Sequence, residues 1–297
     1  MSTPALAHQL RDATPVHDVF VGVDSDGCAF DAMEIKHKEC FTPATIRVWG
    51  LQAVSTLARE TAEFVNLYSV HRGLNRWPAL VRVLELLAAR PEVAARGVDI
   101  PDPVRLREFL ASGAPLSNDG LRSYAATHPD PELDRALAWT EAVDAAIAEM
   151  VVGVPPFPGV REALAVMHEQ ADVMVVSATP LAALEREWGE HGLTDHVDVV
   201  AGQEMGTKAQ HLAQAAKGRY ADDRILLVGD APGDRDAAAS QGVAFFPIKP
   251  GHEAESWRVL REEAFGRVLA GTYRGAYERE LVRDFEALLP ARPPWER

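Results

Sequence analysis

Two short acidic clusters carry side chains that can do chemistry, and each begins where an apolar run ends. The clusters are Asp24-Ser25-Asp26-Gly27, after residues 19–23, and Gly229-Asp230-Ala231-Pro232-Gly233-Asp234, after residues 225–228. Four carboxylates gathered in one place repel one another unless a cation lies among them. Mg²⁺ is a cation that binds such carboxylate oxygens. The two clusters therefore predict a metal-dependent enzyme with Mg²⁺ held among the four aspartates.

The elements that must position these clusters are short strands that alternate with helices. Besides the two apolar runs already named, strand patterns occur at residues 173–176, 197–201 and 243–246, with amphipathic segments between them. Such alternation is typical of an α/β fold with a doubly wound, Rossmann-like parallel sheet. Ligands bind such a sheet at the carboxyl ends of its strands, so both acidic clusters are expected to face one crevice. The sequence does not indicate the order of the strands.

A long helical segment interrupts this alternation. No strand pattern occurs between Asp31 and about Gly153, whereas apolar residues recur at helical spacing in residues 81–87 and 133–150. Prolines are expected to break the helices. The breaks are predicted at Pro78, Pro91, Pro101, Pro103, Pro115, Pro129 and Pro131. The pattern predicts an all-helical domain at residues 33–154, inserted into a sheet domain formed by residues 1–32 and 155–297.

The composition is that of a soluble globular protein. The chain has 297 residues, of which 47% are hydrophobic and 25% charged, enough for one large domain or two ordinary ones. The formal net charge of −14 argues against a general affinity for nucleic acid or anionic membranes. There is no leader pattern and no apolar run long enough to span a bilayer. The two cysteines, Cys28 and Cys40, lack metal-ligand spacing. A cytoplasmic location is therefore expected, with residues 1–17 as an irregular lead-in.

Two further polar residues follow predicted strands in the same way. Ser177 comes directly after residues 173–176, and Lys208 comes soon after residues 197–201. Taken singly, Ser177 is an ordinary strand-end or helix-capping serine, and Lys208 is a solvated lysine at a helix start. Together with the acidic clusters, they place polar sites at or just after four successive strand candidates.

This order and spacing resemble the haloacid dehalogenase superfamily of phosphohydrolases. The first motif of the family matches Asp24 to Gly27, the second Ser177, the third Lys208 and the fourth Gly229 to Asp234. The resemblance covers residues 19 to about 246, and the helical insertion lies where the family places its cap domain. Two residues depart from the family pattern: Cys28 stands where threonine or valine is common, and Ala231 stands where serine is usual. Neither position supplies a group that the chemistry requires.

The resemblance implies a role for each aspartate. Asp24, nearest to the strand end, would attack phosphorus and form an aspartyl-phosphate, which splits phosphoryl transfer into two steps. Asp26 would protonate the departing oxygen and later take a proton from the hydrolytic water. Mg²⁺ would be held by the carboxylates of Asp24 and Asp230 and by the main-chain oxygen of Asp26. Asp234 would bind the metal or orient one of its waters.

The remaining motif residues would bind the phosphoryl group. Ser177 would offer its hydroxyl to a phosphoryl oxygen, and Lys208 would offer its ammonium to both the phosphate and Asp24. Gly27 lets the backbone turn sharply and approach the substrate. Ala178, beside Ser177, is likewise a predicted substrate contact.

The helical insertion offers candidates for substrate specificity. Residues 71–77 gather cations, an amide and an aromatic side chain, and Arg72, Asn75 and Arg76 are predicted to contact substrate. The alternative for the two arginines is a solvated helix face, because ion pairs between residues four apart are common on helices. Trp77 is expected to pack rather than to bind.

The predicted function is Mg²⁺-dependent hydrolysis of the phosphate monoester of a small metabolite through phospho-Asp24. The acid at Asp26 favours phosphate transfer over dehalogenation, since family members that remove halide lack an acid there. One alternative is a phosphonatase, which would use a Schiff-base lysine such as Lys36 or Lys38. Another is a catalytically idle regulator that binds a phosphorylated ligand, although binding alone requires no acid–base group. The sequence leaves the oligomeric state open.

Overall fold

The structure, a computed structural model, describes Leu10 and residues 14–296. The lead-in expected for residues 1–17 therefore falls largely outside the described residues, and residues 14–19 contain neither helix nor strand. The chain divides into two compact units. The sheet unit contains the described residues up to 32 together with 153–289, and the helical unit contains 33–152 together with those from 290 onward. No helix within these described ranges is long and apolar enough to cross a bilayer.

The helical unit contains eight α-helices among its described residues. They are α1 (Ala32–Ile35), α2 (Thr42–Val48), α3 (Ser55–Leu67), α4 (Arg76–Ala88), α5 (Pro91–Ala95), α6 (Val104–Ala111), α7 (Asn118–Thr127) and α8 (Pro131–Met150). A π-helical turn at Lys36–Phe41 connects α1 to α2. The apolar stretches predicted as helical, residues 81–87 and 133–150, lie within α4 and α8.

Tryptophans form the centre of the helical core. Trp77 and Trp139 are almost completely buried, and their rings meet edge to face with 5.5 Å between centroids. Nε1 of Trp139 donates a hydrogen bond to Oγ1 of Thr45 (2.9 Å). The packing role predicted for Trp77 is thus confirmed. The break predicted at Pro78 is wrong: α4 begins at Arg76, and a proline is tolerated in the first turn because its missing N–H would have no partner there.

The end of the chain groups with the helical unit through Trp295. Its ring lies edge to face with that of Phe64 (5.5 Å between centroids), and the guanidinium of Arg90 lies 4.2 Å from its centroid. The sequence-based division assigned residues 155–297 to the sheet domain. In the structure the sheet unit resumes at Gly153 and ends at Leu289. The difference arises because a single terminal aromatic gives no periodic pattern from which its partner could be predicted.

The sheet unit is built on five parallel strands. They are β1 (Phe20–Val23), β2 (Asp172–Val176), β3 (Val199–Ala201), β4 (Ile225–Gly229) and β5 (Ala244–Pro247). Their order is β3-β2-β1-β4-β5, with all neighbours parallel. Each strand coincides with a predicted one to within two residues, so the predicted α/β class is confirmed. Because the chain passes from central β1 to β2 on one side and later to β4 on the other, a crevice opens at the carboxyl end of β1.

Helices flank the sheet, and both of its faces are buried. The helices are α9 (Val160–His168), α10 (Leu181–Glu190), α11 (Lys208–Ala215), α12 (Pro232–Gln241), α13 (Glu253–Val259), α14 (Phe265–Leu269) and α15 (Ala276–Glu286). Val21 and Val23 of β1 belong to the core on one face, whereas Phe20 belongs to the core on the other. Cys28 joins the first of these cores, and burial raises the pKa of its thiol, as expected for a structural rather than a reactive cysteine.

Candidate active site

The predicted motif residues of the sheet unit lie at the carboxyl edge of the sheet, around its central strand. The last residue of β1 pairs with both β2 and β4. The N–H of Asp24 donates a hydrogen bond to the carbonyl oxygen of Val228 (3.0 Å), so β1 and β4 remain paired up to Asp24. Ser177 and Asp230 immediately follow β2 and β4. The register therefore brings both residues to the level just beyond Asp24.

An ion cluster joins residues from three of the sequence motifs. Nζ of Lys208 lies 2.7 Å from Oδ2 of Asp24 and also contacts Oδ1 of Asp234. One carboxylate oxygen from each of Asp24, Asp230 and Asp234 lies within 4.8 Å of the other two. All three aspartates are buried. The first, third and fourth motifs, which are far apart in sequence, thus converge on one small volume.

Helix termini fix the positions of Lys208 and Asp234. Lys208 is the first residue of α11, where the side chain of Thr207 caps the helix by accepting a hydrogen bond from the first turn (3.3 Å). Asp234 lies in the first turn of α12, and its Oδ2 accepts a hydrogen bond from the N–H of Ala231 (3.0 Å). Gly229 leaves room for this carboxylate, because a Cβ there would lie only 2.4 Å from Cγ of Asp234.

Burial dominates the electrostatics of the cluster. It raises the pKa of Asp24 well above the ordinary value, with Lys208 opposing the rise and Asp234 and Asp230 adding to it. For Lys208, burial alone would lower the pKa, but the carboxylates of Asp234 and Asp24 outweigh it and raise the pKa. When ionised, three carboxylates and one ammonium carry an excess of two negative charges. A divalent cation offsets that excess, and Mg²⁺ prefers oxygen ligands, so the residues present fit the predicted metal.

Asp26 lies on the turn that follows β1 and is partly exposed. The turn depends on Gly27, whose φ of +77° is a conformation that favours glycine, and whose N–H donates to the carbonyl oxygen of Phe30 (2.8 Å). Oγ1 of Thr179 donates a hydrogen bond to Oδ2 of Asp26 (2.8 Å). Sequence reasoning missed Thr179, for which the only available signal was its position two residues after Ser177.

The residues predicted to bind phosphate occupy the loop after β2. Ser177 is buried, and its N–H donates to the carbonyl oxygen of Ala201 (3.1 Å). Oγ of Ser177 accepts a hydrogen bond from the N–H of Thr179 (3.3 Å). Ala178 is exposed. The contacts of Ser177 and Ala178 with a phosphoryl group stay predictions, as does the metal contact of the main-chain oxygen of Asp26.

A buried hydrogen-bond network holds the segment between the two motif-one aspartates. Oγ of Ser25 accepts a hydrogen bond from Nε1 of Trp188 (3.0 Å) and donates one to Oε2 of Glu187 (3.3 Å). Ser25 and Trp188 are completely buried. The side chain of Ser25 is therefore anchored to α10. Nothing in the amphipathic pattern of that helix indicated this contact.

The predicted specificity residues have structural partners within the helical unit. Arg72 is buried, and its Nη1 donates to the carbonyl oxygen of Leu67 (3.0 Å). Asn75 caps α4 by accepting a hydrogen bond from the N–H of Trp77 (3.1 Å). Nη1 of Arg76 lies 2.7 Å from Oδ1 of Asp144. These contacts give all three residues a role in folding, and their contact with substrate stays a prediction.

Lys38, one of the two lysines considered for Schiff-base chemistry, is paired with a carboxylate. Its ammonium contacts Glu34, one turn earlier on the helix, and lies 5.5 Å from the ring centroid of Tyr68. The hydrogen bond to Glu34 is the largest influence on its pKa and raises it. A Schiff-base lysine needs a lowered pKa so that its amine is neutral. This environment therefore opposes a phosphonatase role for Lys38.

Behind Lys208 on the same helix, His211 is completely buried. Burial, followed by the charge of Lys208, lowers its pKa from 6.5 to about 4. The unfolded chain binds a proton near pH 6.5, whereas the folded protein does not do so until about pH 4. The contribution of neutral His211 to the free energy of unfolding is therefore fully present above pH 6.5. It is lost as the pH drops toward 4, and the loss amounts to up to about 3 kcal/mol.

Replacing His211 by leucine is expected to remove this acid sensitivity. Melting temperatures measured from pH 7 to pH 4 should decline less steeply for His211→Leu than for the native protein. His252→Leu, a change at an exposed histidine, is the matched control and should keep the native slope. Equal slopes for His211→Leu and the native protein would contradict the prediction.

Comparison with models of protein families finds no match. No curated protein matches the sequence either. Solved structures do match, among them a haloacid dehalogenase-like family hydrolase from Streptococcus pneumoniae (15% identity, TM-score 0.43, covering 81% of this chain and 90% of that one). A predicted phosphoglycolate phosphatase from Haemophilus somnus matches at 14% identity and a TM-score of 0.47, over 78% of this chain and 84% of that one.

A third similar structure is a haloacid dehalogenase superfamily hydrolase of subfamily IA from Geobacter sulfurreducens. It is 19% identical, with a TM-score of 0.39, and the match covers 79% of this chain and 89% of that one. Two of the three neighbours carry the haloacid dehalogenase name. Identities and TM-scores this low carry no conclusion about the activity of this chain.

Proposed function

We propose that this chain is a Mg²⁺-dependent phosphohydrolase of the haloacid dehalogenase type, acting on a phosphate monoester of a small molecule. The supporting observation is the cluster of the buried Asp24 and Asp234 with the largely buried Lys208 at the carboxyl edge of β1, with Asp26 two residues beyond Asp24. A carboxylate beside an ammonium, followed by a second carboxylate on a turn, supplies the groups needed for two successive displacements at phosphorus.

In the first step, a carboxylate oxygen of Asp24 attacks the phosphorus of the ester. The bond between phosphorus and the leaving oxygen breaks, and Asp26, in its acid form, gives its proton to that oxygen. The products are a free alcohol and an aspartyl-phosphate at Asp24. The ammonium of Lys208, which already contacts Asp24, stabilises the negative charge of the transferring phosphoryl group.

In the second step, water attacks the phosphorus of the aspartyl-phosphate. Asp26, now a carboxylate, takes a proton from that water, and the bond between phosphorus and Asp24 breaks. Inorganic phosphate leaves, Asp24 returns to its carboxylate form and Asp26 to its acid form. The same side chain thus serves first as acid and then as base. It must therefore reach both the leaving oxygen of the ester and the oxygen of the attacking water.

Mg²⁺ is proposed to bind the carboxylates of Asp24 and Asp230 and the main-chain oxygen of Asp26. When bound, the ion offsets the repulsion between the Asp24 carboxylate and the phosphate dianion. Both oxygens of Asp234 already have protein partners, the ammonium of Lys208 and the N–H of Ala231. Asp24 is partnered in the same way, by Lys208 and the N–H of Ser25, so Asp234 is proposed to bind the ion or to orient one of its waters.

Phosphate release from a panel of small phosphate esters tests this proposal. We expect release in the presence of Mg²⁺ and its loss in excess EDTA, because the charge of the three carboxylates would then oppose the approach of the phosphate. Mg²⁺ alone should also raise the melting temperature, since an ion bound only by the folded state stabilises it. The rank order of the esters would indicate the substrate class.

Three outcomes would contradict the proposal in different ways. Equal release with and without EDTA would contradict the role of the metal. A folded protein that binds Mg²⁺ but releases phosphate from no ester would favour the idle regulator. Phosphate release from a phosphonate, with a lysine adduct trapped by borohydride, would favour the phosphonatase.

A further inference from the structure

The loop that follows β2 is held in place through its backbone. The N–H of Thr179 donates to Oγ of Ser177 (3.3 Å), and its carbonyl oxygen accepts a hydrogen bond from the N–H of Gln203 (3.0 Å). Two residues later, the N–H of Leu181 donates to Oε2 of Glu204 (2.9 Å). Both backbone groups of Thr179 therefore have partners, and the loop is tied to the segment that leads to α11.

The backbone of Thr179 is thus fixed, and its side-chain hydroxyl contacts the candidate site. Its Oγ1 donates to Oδ2 of Asp26 at 2.8 Å, and the contact is partly buried. Threonine has few accessible χ1 rotamers, so a hydroxyl on a fixed backbone is a rigid donor. The terminal torsion of an aspartate is broad, so a rigid donor restricts the rotation of the partly exposed Asp26 carboxylate. The hydrogen bond thus fixes the plane of the Asp26 carboxylate.

We propose that Thr179 is a positioning residue for Asp26. The inference rests on the proposed function, because it gives Thr179 a part in the same reaction. A general acid must present its proton to the departing oxygen from a set direction. The donor on Oδ2 keeps the proton of the acid form off that oxygen and orients the carboxyl group. Loss of this donor widens the range of orientations of the carboxyl group, so its proton faces the leaving oxygen less often.

If Thr179 positions the acid, the loss of rate on removing its hydroxyl depends on the leaving group. A purely structural contact predicts no such dependence. A phenolate ion needs a proton as it departs, whereas 2,4-dinitrophenolate is stable enough to depart without one. Loss of the acid's orientation is therefore expected to slow hydrolysis of phenyl phosphate and to leave hydrolysis of 2,4-dinitrophenyl phosphate almost unchanged. A change in fold or in phosphate binding would slow both equally, since the two esters share the phosphoryl group.

The experiment compares kcat/KM for phenyl phosphate and 2,4-dinitrophenyl phosphate, because kcat/KM reports on steps up to the first P–O cleavage. Thr179→Val, which keeps the branched shape and removes the hydroxyl, is expected to lower kcat/KM for phenyl phosphate by about 30-fold. The loss for 2,4-dinitrophenyl phosphate is expected to be within about threefold, since that ester bypasses general acid catalysis. Thr179→Ser should restore phenyl phosphate hydrolysis to within about threefold of the native rate, because it returns the donor.

Two controls separate the positioning role from other effects. In an Asp26→Asn background, adding Thr179→Val should cost no more than about twofold, because residues that act through one another are not additive. Thr272→Val is the matched control, as Thr272 is exposed and its hydroxyl contacts only the carbonyl oxygen of Arg267 (3.4 Å) among the described residues. It should leave both esters at the native rate. Thr179→Ala serves as a second variant if Thr179→Val is unstable.

Equal losses for the two esters in Thr179→Val would overturn the positioning role while leaving the proposed function intact. The positioning role would also be overturned if adding Thr179→Val to Asp26→Asn lowered kcat/KM for phenyl phosphate by the same factor as in the native protein. If the native protein hydrolyses neither ester nor any other, the proposed function fails first and this inference fails with it. The native rates therefore distinguish the two failures.

Discussion

Replacing Asp24 by asparagine is expected to lower phosphate release by about 10⁴-fold or more, because removal of a nucleophile leaves only the charges and binding contacts around it. The variant should nevertheless fold. Burial already raises the pKa of Asp24, which means that the folded state disfavours its charged form. In EDTA, Asp24→Asn should therefore melt at the same temperature as the native protein or above it.

Phosphate release and thermal melting of purified Asp24→Asn provide the measurement, with Asp24→Ala as a second variant that cannot revert by deamidation. Asp236→Asn is the matched control, because Asp236 lies on α12 beside the site but is exposed and pairs with Arg235 (2.7 Å). It should retain native activity. Release by both Asp24 variants at near-native rates would exclude the aspartyl-phosphate mechanism.

Replacing Lys208 by methionine is expected to lower the rate of phosphate release by about 10²- to 10³-fold, the range typical for loss of one preorganised charge. It should also destabilise the protein in EDTA. Lys208 is the cation that contacts both Asp24 and Asp234, and removing one partner of a buried ion pair costs about 3–5 kcal/mol. Lys217→Met is the matched control, since the partner of Lys217, Asp222, is mostly exposed.

The sign of the pH dependence distinguishes this effect from simple loss of packing. Lys208 lowers the pKa of Asp24, so its removal raises that pKa further. A carboxyl group with a raised folded-state pKa stabilises the fold below its unfolded value of 3.8, and that contribution is lost as the pH rises through the raised value. Relative to the native protein, Lys208→Met should thus be more destabilised at pH 7.5 than at pH 5. A constant difference in melting temperature across this range would show that only packing had changed.

Local signals were sufficient to predict most of the elements. The strands are mostly apolar, since a parallel sheet covered on both faces buries most of its side chains. Asp24, Lys208 and Asp234 could be predicted as neighbours because polar residues at or just after strand ends meet at one edge of such a sheet, and because their order resembles the haloacid dehalogenase motifs. The strand order could not be predicted, because neighbouring strands such as β1 and β4 are far apart in sequence.

Contacts that depend on the rotamer of a single side chain could not be predicted from the sequence. The hydrogen bond from Thr179 to Asp26 and the one from Trp188 to Ser25 join residues with no shared periodicity. The same holds for Trp295, whose ring lies edge to face with that of Phe64 and beneath the guanidinium of Arg90. The start of α4 could not be predicted for a different reason. Pro78 is compatible with either a break in a helix or its first turn, and only the position of the cap at Asn75 decides between them.

The central position of β1 has a consequence for how the protein acquires its activity. Asp24 belongs to the first strand of the sheet, whereas Lys208 and Asp234 lie beyond the third and fourth strands. A nascent chain that has been synthesised only through β3 contains Asp24, the proposed nucleophile, but neither Lys208 nor Asp234. Contacts between such distant segments form late, because the entropy of closing long loops must first be overcome. If the proposed activity is correct, it is expected to begin only after β4 and α12 have joined the sheet, so its onset during refolding would report completion of the sheet.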